Sequence, residues 1–252
     1  MHTKVNILGI QVSSITLTSL LYDFAVLIKS NSKASVCITP VNSILAANKN
    51  GVVKNIYNNA SYTLCDGVPV FWASKFLGTP IAQRITGLDL LPALLPFCSE
   101  NNFSLFFLGA SPGCGLSLKA KAEQLYPGIN INGVYCPPFA EKFESSENDK
   151  MISLINEVKP DFVLVSLTAP KQDIWIAENL QKLDTKICIG IGGAFEVTAG
   201  LIPRAPHWMQ VNGIEWFYRF CKEPKRMFKR YFMEAPLFIP LILLQKLKSL
   251  FK

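Results

Sequence analysis

The residues best suited to chemistry gather first in the stretch Cys65 to Leu91, CDGVPVFWASKFLGTPIAQRITGLDLL. Asp66 stands directly before Gly67, at the end of a short apolar run from Tyr62 to Cys65. A carboxylate at a strand end can take a proton from an acidic hydroxyl within hydrogen-bond reach. The same residue before a helix can equally serve as an N-cap. The stretch closes on Arg84, Thr86, Gly87 and Asp89, just ahead of another apolar helix. Three further segments have the form strand, turn, helix. Phe107 to Gly115 (FLGASPGCG) places Gly109 where backbone N–H groups can meet a phosphate. It is neither a Walker loop nor a GxGxxG fingerprint, and its glycines also read as ordinary turn residues. Leu167 to Trp175 (LTAPKQDIW) opens a helix with Lys171 and Gln172, where an amide can bind a sugar or phosphate or simply face solvent. Ile189 to Gln210 carries Gly192 and Gly193 after a buried strand, which lets a ligand approach the backbone. Arg204, between two prolines in IPRAP, can pair with a diphosphate or with the body of the protein.

These residues need a scaffold, and the pattern supplies one. Short β-type runs at Val5–Leu8 (a strand or half of a hairpin), Ser35–Thr39, Tyr62–Cys65, Phe103–Gly109, Ile129–Val134, Phe162–Thr168 and Lys186–Ile191 alternate with helical stretches. The helices are read at 14–30, 42–58, 115–126, 171–183, 208–221, 225–234 and 235–252. Ser145 to Lys150 reads as an exposed loop. Strands separated by helices of this length predict an α/β fold: a mainly parallel, Rossmann-like sheet flanked by helices. The expected division is an α/β core over 1–200 and a basic, amphipathic helical appendage over 201–252.

Composition narrows the function. Half of the 252 residues are hydrophobic, so a substantial core is available. The net charge is +7, and the same +7 is found between Arg219 and Lys252 alone. The first 218 residues are neutral, unlike a nucleic-acid binder that is basic throughout. The seven cysteines form no CxxC pair and read as buried thiols of a reducing cytoplasm. Two histidines, His2 and His207, argue against a His-rich metal site and against a Ser-His triad. The N-terminus does not read as a signal peptide, and the longest apolar run, Leu237–Leu244, is too short to span a bilayer and contains Pro240. In the tail, Lys222, Lys225, Arg226, Lys229 and Arg230 recur at helical spacing around Phe228, Tyr231 and Phe232. The last helix puts Gln245, Lys246, Lys248, Ser249 and Lys252 on one face and Leu243, Leu244, Leu247, Leu250 and Phe251 on the other. This suits an anionic membrane surface better than RNA, the competing partner.

Taken in order, DGVPVFWASKFLG, RITGLDLL, FFLGASPG, APKQDIWIAEN, GIGGAFEVTAG, RAPHWMQ, GIEWFYR and EPKRMFKRY closely resemble the WecG/TagA/CpsF family of bacterial glycosyltransferases, from about Ile7 to Pro236. The resemblance implies inverting, metal-independent transfer of an N-acetylmannosamine-type or related hexose from a UDP-sugar to a polyprenyl-diphosphate-linked sugar. The product would belong to teichoic acid, capsule or exopolysaccharide synthesis. It implies Asp66 as general base, with Thr39 at the strand end beside it. Arg84, with Thr86 and Asp89, supports the nucleotide side, and Gln172 contacts the donor or leaving group. Arg219, Arg226 and Arg230 are the candidates in an appendage that closes over the diphosphate. The family carries Thr-x-Asn after the second strand. This chain reads Thr39-Pro40-Val41-Asn42, one residue longer, and Asn42 is carried as the candidate asparagine. No cofactor, no metal and no nucleic acid is implied. The expected location is the cytoplasmic face of the bacterial membrane, peripherally attached, with a homo-oligomer as a further possibility. The reading from another class is a non-catalytic nucleotide-binding module at a membrane or on RNA, in which Asp66 is only a cap. An NAD-dependent oxidoreductase is disfavoured, because the first βα turn lacks GxGxxG and its later acid.

Overall fold

A computed structural model describes residues 2–250, apart from the side chains of Arg226, Lys229 and Arg230. The chain opens with an antiparallel hairpin, β1 (Thr3–Ile7) and β2 (Ile10–Ser14). Leu8 and Gly9 both take positive φ in its two-residue turn, the backbone that matches strand twist in tight hairpins. Then follow α1 (Leu17–Lys29), β3 (Ala34–Thr39), α2 (Val41–Lys49), α3 (Gly51–Asn59), β4 (Tyr62–Cys65), α4 (Val68–Phe76) and α5 (Gly87–Asn101). The second half of the sheet adds β5 (Ser104–Gly109), α6 (Cys114–Leu125), β6 (Asn130–Tyr135), α7 (Ser145–Val158), β7 (Phe162–Ser166), α8 (Lys171–Asn179), β8 (Ile187–Gly190) and α9 (Ala194–Ala199).

Six strands pair in parallel in the order β4-β3-β8-β7-β5-β6. Side chains alternate across such strands, and here both faces are apolar. Leu105 and Phe107 of β5, Phe162 and Leu164 of β7, and Ile187 and Ile189 of β8 pack under α1, α5, α6 and α9. Phe106, Leu108, Val163, Val165 and Cys188 point the other way, onto α7 and α8. Cys37 of β3 joins that second face beside α2, α3, α4 and the hairpin. The α/β class with its parallel sheet is therefore the observed one. The helix after β5 lies on one face and the helix after β7 on the other. The C-terminal ends of these adjacent strands thus flank a crevice of the kind where open sheets hold ligands.

Three helix boundaries differ from the sequence reading. The stretch 42–58 is two helices, because Asn50 turns out of the first and caps the second, accepting from Val52 N–H at 2.9 Å. The stretch 208–221 is likewise two, α10 (His207–Val211) and α11 (Glu215–Lys222), split by Gly213 at φ +72°. Ser145 to Lys150 is not a loop but the polar first turns of α7, whose Met151 and Ile155 are buried one turn apart.

From Leu201 onward the described chain is helical or irregular: α10, α11, α12 (Pro224–Phe228), a π-helical turn (Lys229–Glu234), a 3₁₀ turn (Ala235–Leu237) and α13 (Phe238–Leu250). Helix α13 lies on the hairpin. Phe238 and Ile242 are buried there. Gln245 accepts from Leu8 N–H and donates to the Asn6 carbonyl, both at 2.8 Å. Gln245 thus belongs to the docked face, whereas Ile239, Leu243, Leu244, Leu247 and Leu250 are exposed. No helix among the described residues is long and apolar enough to cross a membrane.

Candidate active site

Asp66 follows β4, the edge strand of the sheet, and its N–H donates to the carbonyl of Thr39 at the end of β3. The N-cap position of α4 falls on Gly67, at φ +93°, so Asp66 stands one residue outside the helix. The 80–86 segment runs alongside, with Ile85 N–H donating to the Cys65 carbonyl at 3.0 Å. Asp66 and Arg84 therefore flank the same strand end. The Cys65 thiol reports both: burial pushes its pKa up to about 12, the Asp66 carboxylate adds to the rise, and Arg84 opposes it. Thr39 is fully buried, and its hydroxyl donates to the Leu64 carbonyl at 2.8 Å, tying β3 to β4 beneath Asp66. Asn42, in the first turn of α2, has a buried Oδ1 without a hydrogen-bond partner among the described residues.

The crevice between β5, β7 and β8 is cross-tied through polar groups. Ala110 N–H donates to the Ser166 carbonyl at 2.7 Å, and the Ser166 hydroxyl to the Gly192 carbonyl at 2.7 Å. Gly192 N–H in turn donates to Gln172 Oε1 at 3.1 Å. Gly109 must be glycine here, since its φ is +97° and a Cβ would stand 2.4 Å from the Ser166 carbonyl oxygen. Gln172 is buried and works as a brace for the glycine turn that holds Gly192 and Gly193. Beneath it Asp173 is fully buried, with Oδ2 accepting from the Tyr57 hydroxyl at 3.0 Å. A Cβ on Gly190 would stand 2.7 Å from Gln172 Nε2 and 2.8 Å from Asp173 Oδ1, so β8 fits these side chains only with glycine there. Burial pushes the Asp173 carboxyl up to about 7, and the hydrogen bond from Tyr57, with the polar groups of Cys37 and Gln172 beside it, holds it from rising further.

Arg204 joins the core to the C-terminal helices. Its guanidinium donates to the Leu88 carbonyl at 2.9 Å and to Asp89 Oδ1 at 2.5 Å, and it faces Glu215 of α11 at 3.5 Å. Of the two readings its sequence position allowed, pairing with the body is the one this arrangement displays. Thr86 and Asp89 form a capping box at the start of α5, so Arg204 grips the segment that carries Arg84. Burial works against the Asp89 carboxylate. Hydrogen bonds from Arg204 and Thr86, with the charges of Arg204 and Arg84, outweigh it and hold its pKa below the ordinary value. Replacing Arg204 by Ala removes two charge-assisted hydrogen bonds, a loss of about 2 kcal/mol or about 4–8 °C in Tm at neutral pH. A depressed carboxyl pKa contributes stability above the unfolded value that is lost as pH falls through the folded one. The Arg204→Ala deficit in thermal melts therefore shrinks below about pH 4, and a deficit independent of pH would contradict this pairing.

Arg219 lies half-buried on α11, while the side chains of Arg226 and Arg230 fall outside the described residues. The turn before α11 sits on α4, where a Cβ at Gly213 would come within 2.9 Å of Val68, two residues after Asp66. Two participants escaped the sequence reading. Asp173 was hidden in a helix's first turn, where an acid is unremarkable. Glu196 opens α9 just after the glycine turn, and its buried Oε2 has no hydrogen-bond partner among the described residues. An acid three residues after Gly-Gly at a strand end was the available signal for it. Among the described residues, no group of three or more His, Cys, Asp or Glu side chains converges as a metal site.

The chain is 29% identical over 226 residues to a protein of Staphylococcus aureus strain MRSA252 named N-acetylglucosaminyldiphosphoundecaprenol N-acetyl-beta-D-mannosaminyltransferase. The match covers 89% of this chain and 87% of that one. The protein of the same name from strain MW2 is 28% identical over 226 residues, with the same coverage. The model of the "Glycosyl transferase WecG/TagA/CpsF family" matches residues 5–252, and on that near-complete match the chain belongs to this glycosyltransferase family.

Proposed function

We propose that the protein transfers an N-acetylmannosamine-type sugar from a UDP-sugar to a sugar carried on polyprenyl diphosphate, in cell-wall teichoic acid or a related surface polysaccharide. The observation that carries this reading is the placement of Asp66 and Arg84 on the end of β4, with only β3 between it and β8, whose end carries the glycine turn at Gly192. Asp66 takes the proton of the acceptor hydroxyl as that oxygen attacks the anomeric carbon, and UDP departs from the opposite face in a single inverting displacement. The β linkage in the relatives' names fits inversion of an α-linked donor. Charge on the leaving diphosphate is met by arginine, with Arg84 from the core and Arg219, Arg226 and Arg230 from the appendage, and by backbone N–H groups after Gly109 and Gly192. No metal is needed in this scheme.

The basic tail and the exposed Trp208, Trp216, Phe217, Phe228 and Phe232 suit attachment to the anionic inner face of the membrane, where the acceptor resides. The test is UDP release over a panel of UDP-sugars with polyprenyl-diphosphate-linked N-acetylglucosamine as acceptor. Turnover is expected with the N-acetylmannosamine donor and is expected to be unchanged by EDTA. Acceptor-independent release alone, or loss of turnover with the chelator, would overturn the mechanism.

A further inference from the structure

The face of α4 that leads away from Asp66 is apolar and uncovered. Pro69, Trp72 and Phe76 recur at three- and four-residue spacing on its outer side, with Trp72 64% and Phe76 50% exposed. The inner side, Val70, Ala73 and Ser74, is buried against the core. A large exposed aromatic pair on a core helix calls for an occupant.

Three observations identify it. First, α4 and α13 lie on the same side of the core: their buried faces share one apolar cluster, through Val70 and Ala73 on α4 and Phe238 and Ile242 on α13. Lys246 of α13 reaches across to the Phe76 ring at 6.0 Å. Second, lysines border the apolar surface: Lys75 on α4, Lys246 and Lys248 on α13. That is the arrangement of an interfacial helix, with apolar groups inserted and cationic stems at the rim. Third, the acceptor in the relatives' names has its sugar directly on the diphosphate of a polyprenol. Its hydroxyl stands one sugar unit above the headgroups, so the base that meets it must come close to the bilayer. Helix α4 begins two residues after Asp66.

We propose that the outer face of α4 is a second membrane-contact surface, continuous with that of α13, and that it seats Asp66 over the lipid headgroups. This rests on the membrane attachment proposed above and extends it from the tail to the catalytic core. Trp72 then inserts at the interface, where amphipathic aromatic rings are favoured.

The experiment uses the full chain and vesicles of phosphatidylglycerol and phosphatidylcholine. In a Trp208→Phe/Trp216→Phe background the remaining tryptophans are Trp72 and the buried Trp175. Fluorescence is expected to be quenched by brominated lipid, and Trp72→Phe is expected to abolish the quenching. The exposed pair Trp72→Glu/Phe76→Glu is expected to weaken vesicle binding about ten-fold or more, given two aromatic side chains withdrawn from the interface. Its melting temperature should stay at the wild-type value. If that pair binds like the wild type and Trp72 is not quenched, while Leu243→Glu/Leu247→Glu loses binding, the tail attachment stands and the α4 surface is refuted. If both pairs bind vesicles like the wild type, neither helix face is the contact surface and the α4 proposal is refuted; if the wild type itself does not bind, membrane attachment fails and the α4 proposal with it.

Discussion

Asp66→Asn lowers transfer to the lipid-linked acceptor about a thousand-fold, the middle of the range for loss of a positioned general base and a change of about 4 kcal/mol in the barrier. The same variant keeps its fold and its affinity for the UDP-sugar. Two local facts separate these outcomes. Gly67, not Asp66, holds the N-cap position of α4, and a side-chain cap would contribute only about 1 kcal/mol of stability. The Thr39 hydroxyl ties β3 to β4 through the Leu64 carbonyl and does not rely on the carboxylate. An amide has the carboxylate's size and hydrogen-bonding reach but cannot take the proton. Single-turnover kinetics with saturating donor, together with calorimetric titration of the UDP-sugar, check the two halves. Near-normal transfer by folded Asp66→Asn would remove Asp66 from the mechanism, whereas lost transfer with lost donor binding would move it to the nucleotide side.

Sequence reading recovered the sheet because its strands are buried on both faces and so appear as unbroken apolar runs, as in FSLFFLG and FVLVS. It nominated candidates at the strand ends because acids and glycines at βα turns leave a local signature. It failed where the deciding contact is remote. Nothing near Arg204 says that Asp89, more than a hundred residues earlier, will take its guanidinium. Nothing in KQDIW says that Asp173 will meet Tyr57 across the layer. Asn50 broke an expected helix by a cap whose strength is plain only once the backbone turns there. Gln245 reads as part of a solvent face by periodicity, yet the strand end at Asn6 and Leu8 offers an unpaired donor and acceptor that its carboxamide satisfies together.

Asp173→Asn stabilises the protein at pH 8 and leaves it unchanged at pH 4. The Asp173 carboxyl is fully buried against Tyr57, Cys37 and Gln172, and burial raises its pKa to about 7 from an ordinary value near 4. A raised carboxyl pKa means that the folded state holds more protons than the unfolded state between about pH 4 and pH 7. Stability therefore falls as pH rises through that window, by on the order of 2–4 kcal/mol, and stays low above it. Asparagine has the shape of the protonated acid, carries no charge to desolvate and still accepts from the Tyr57 hydroxyl. The gain at pH 8 is about 5–10 °C in Tm. The readout is the difference in Tm between the two proteins across pH 4 to 8, which cancels carboxylates of opposite sign such as Asp89. A difference that stays flat over this range would show that Asp173 is not the group responsible. Asp173→Ala behaves in the opposite way, destabilising at every pH, because it strands the Tyr57 hydroxyl and leaves Gln172 without a neighbour. The acid thus weakens the fold at neutral pH while it sits with Gln172 against the Gly190 strand end, where Gln172 fixes the turn at Gly192.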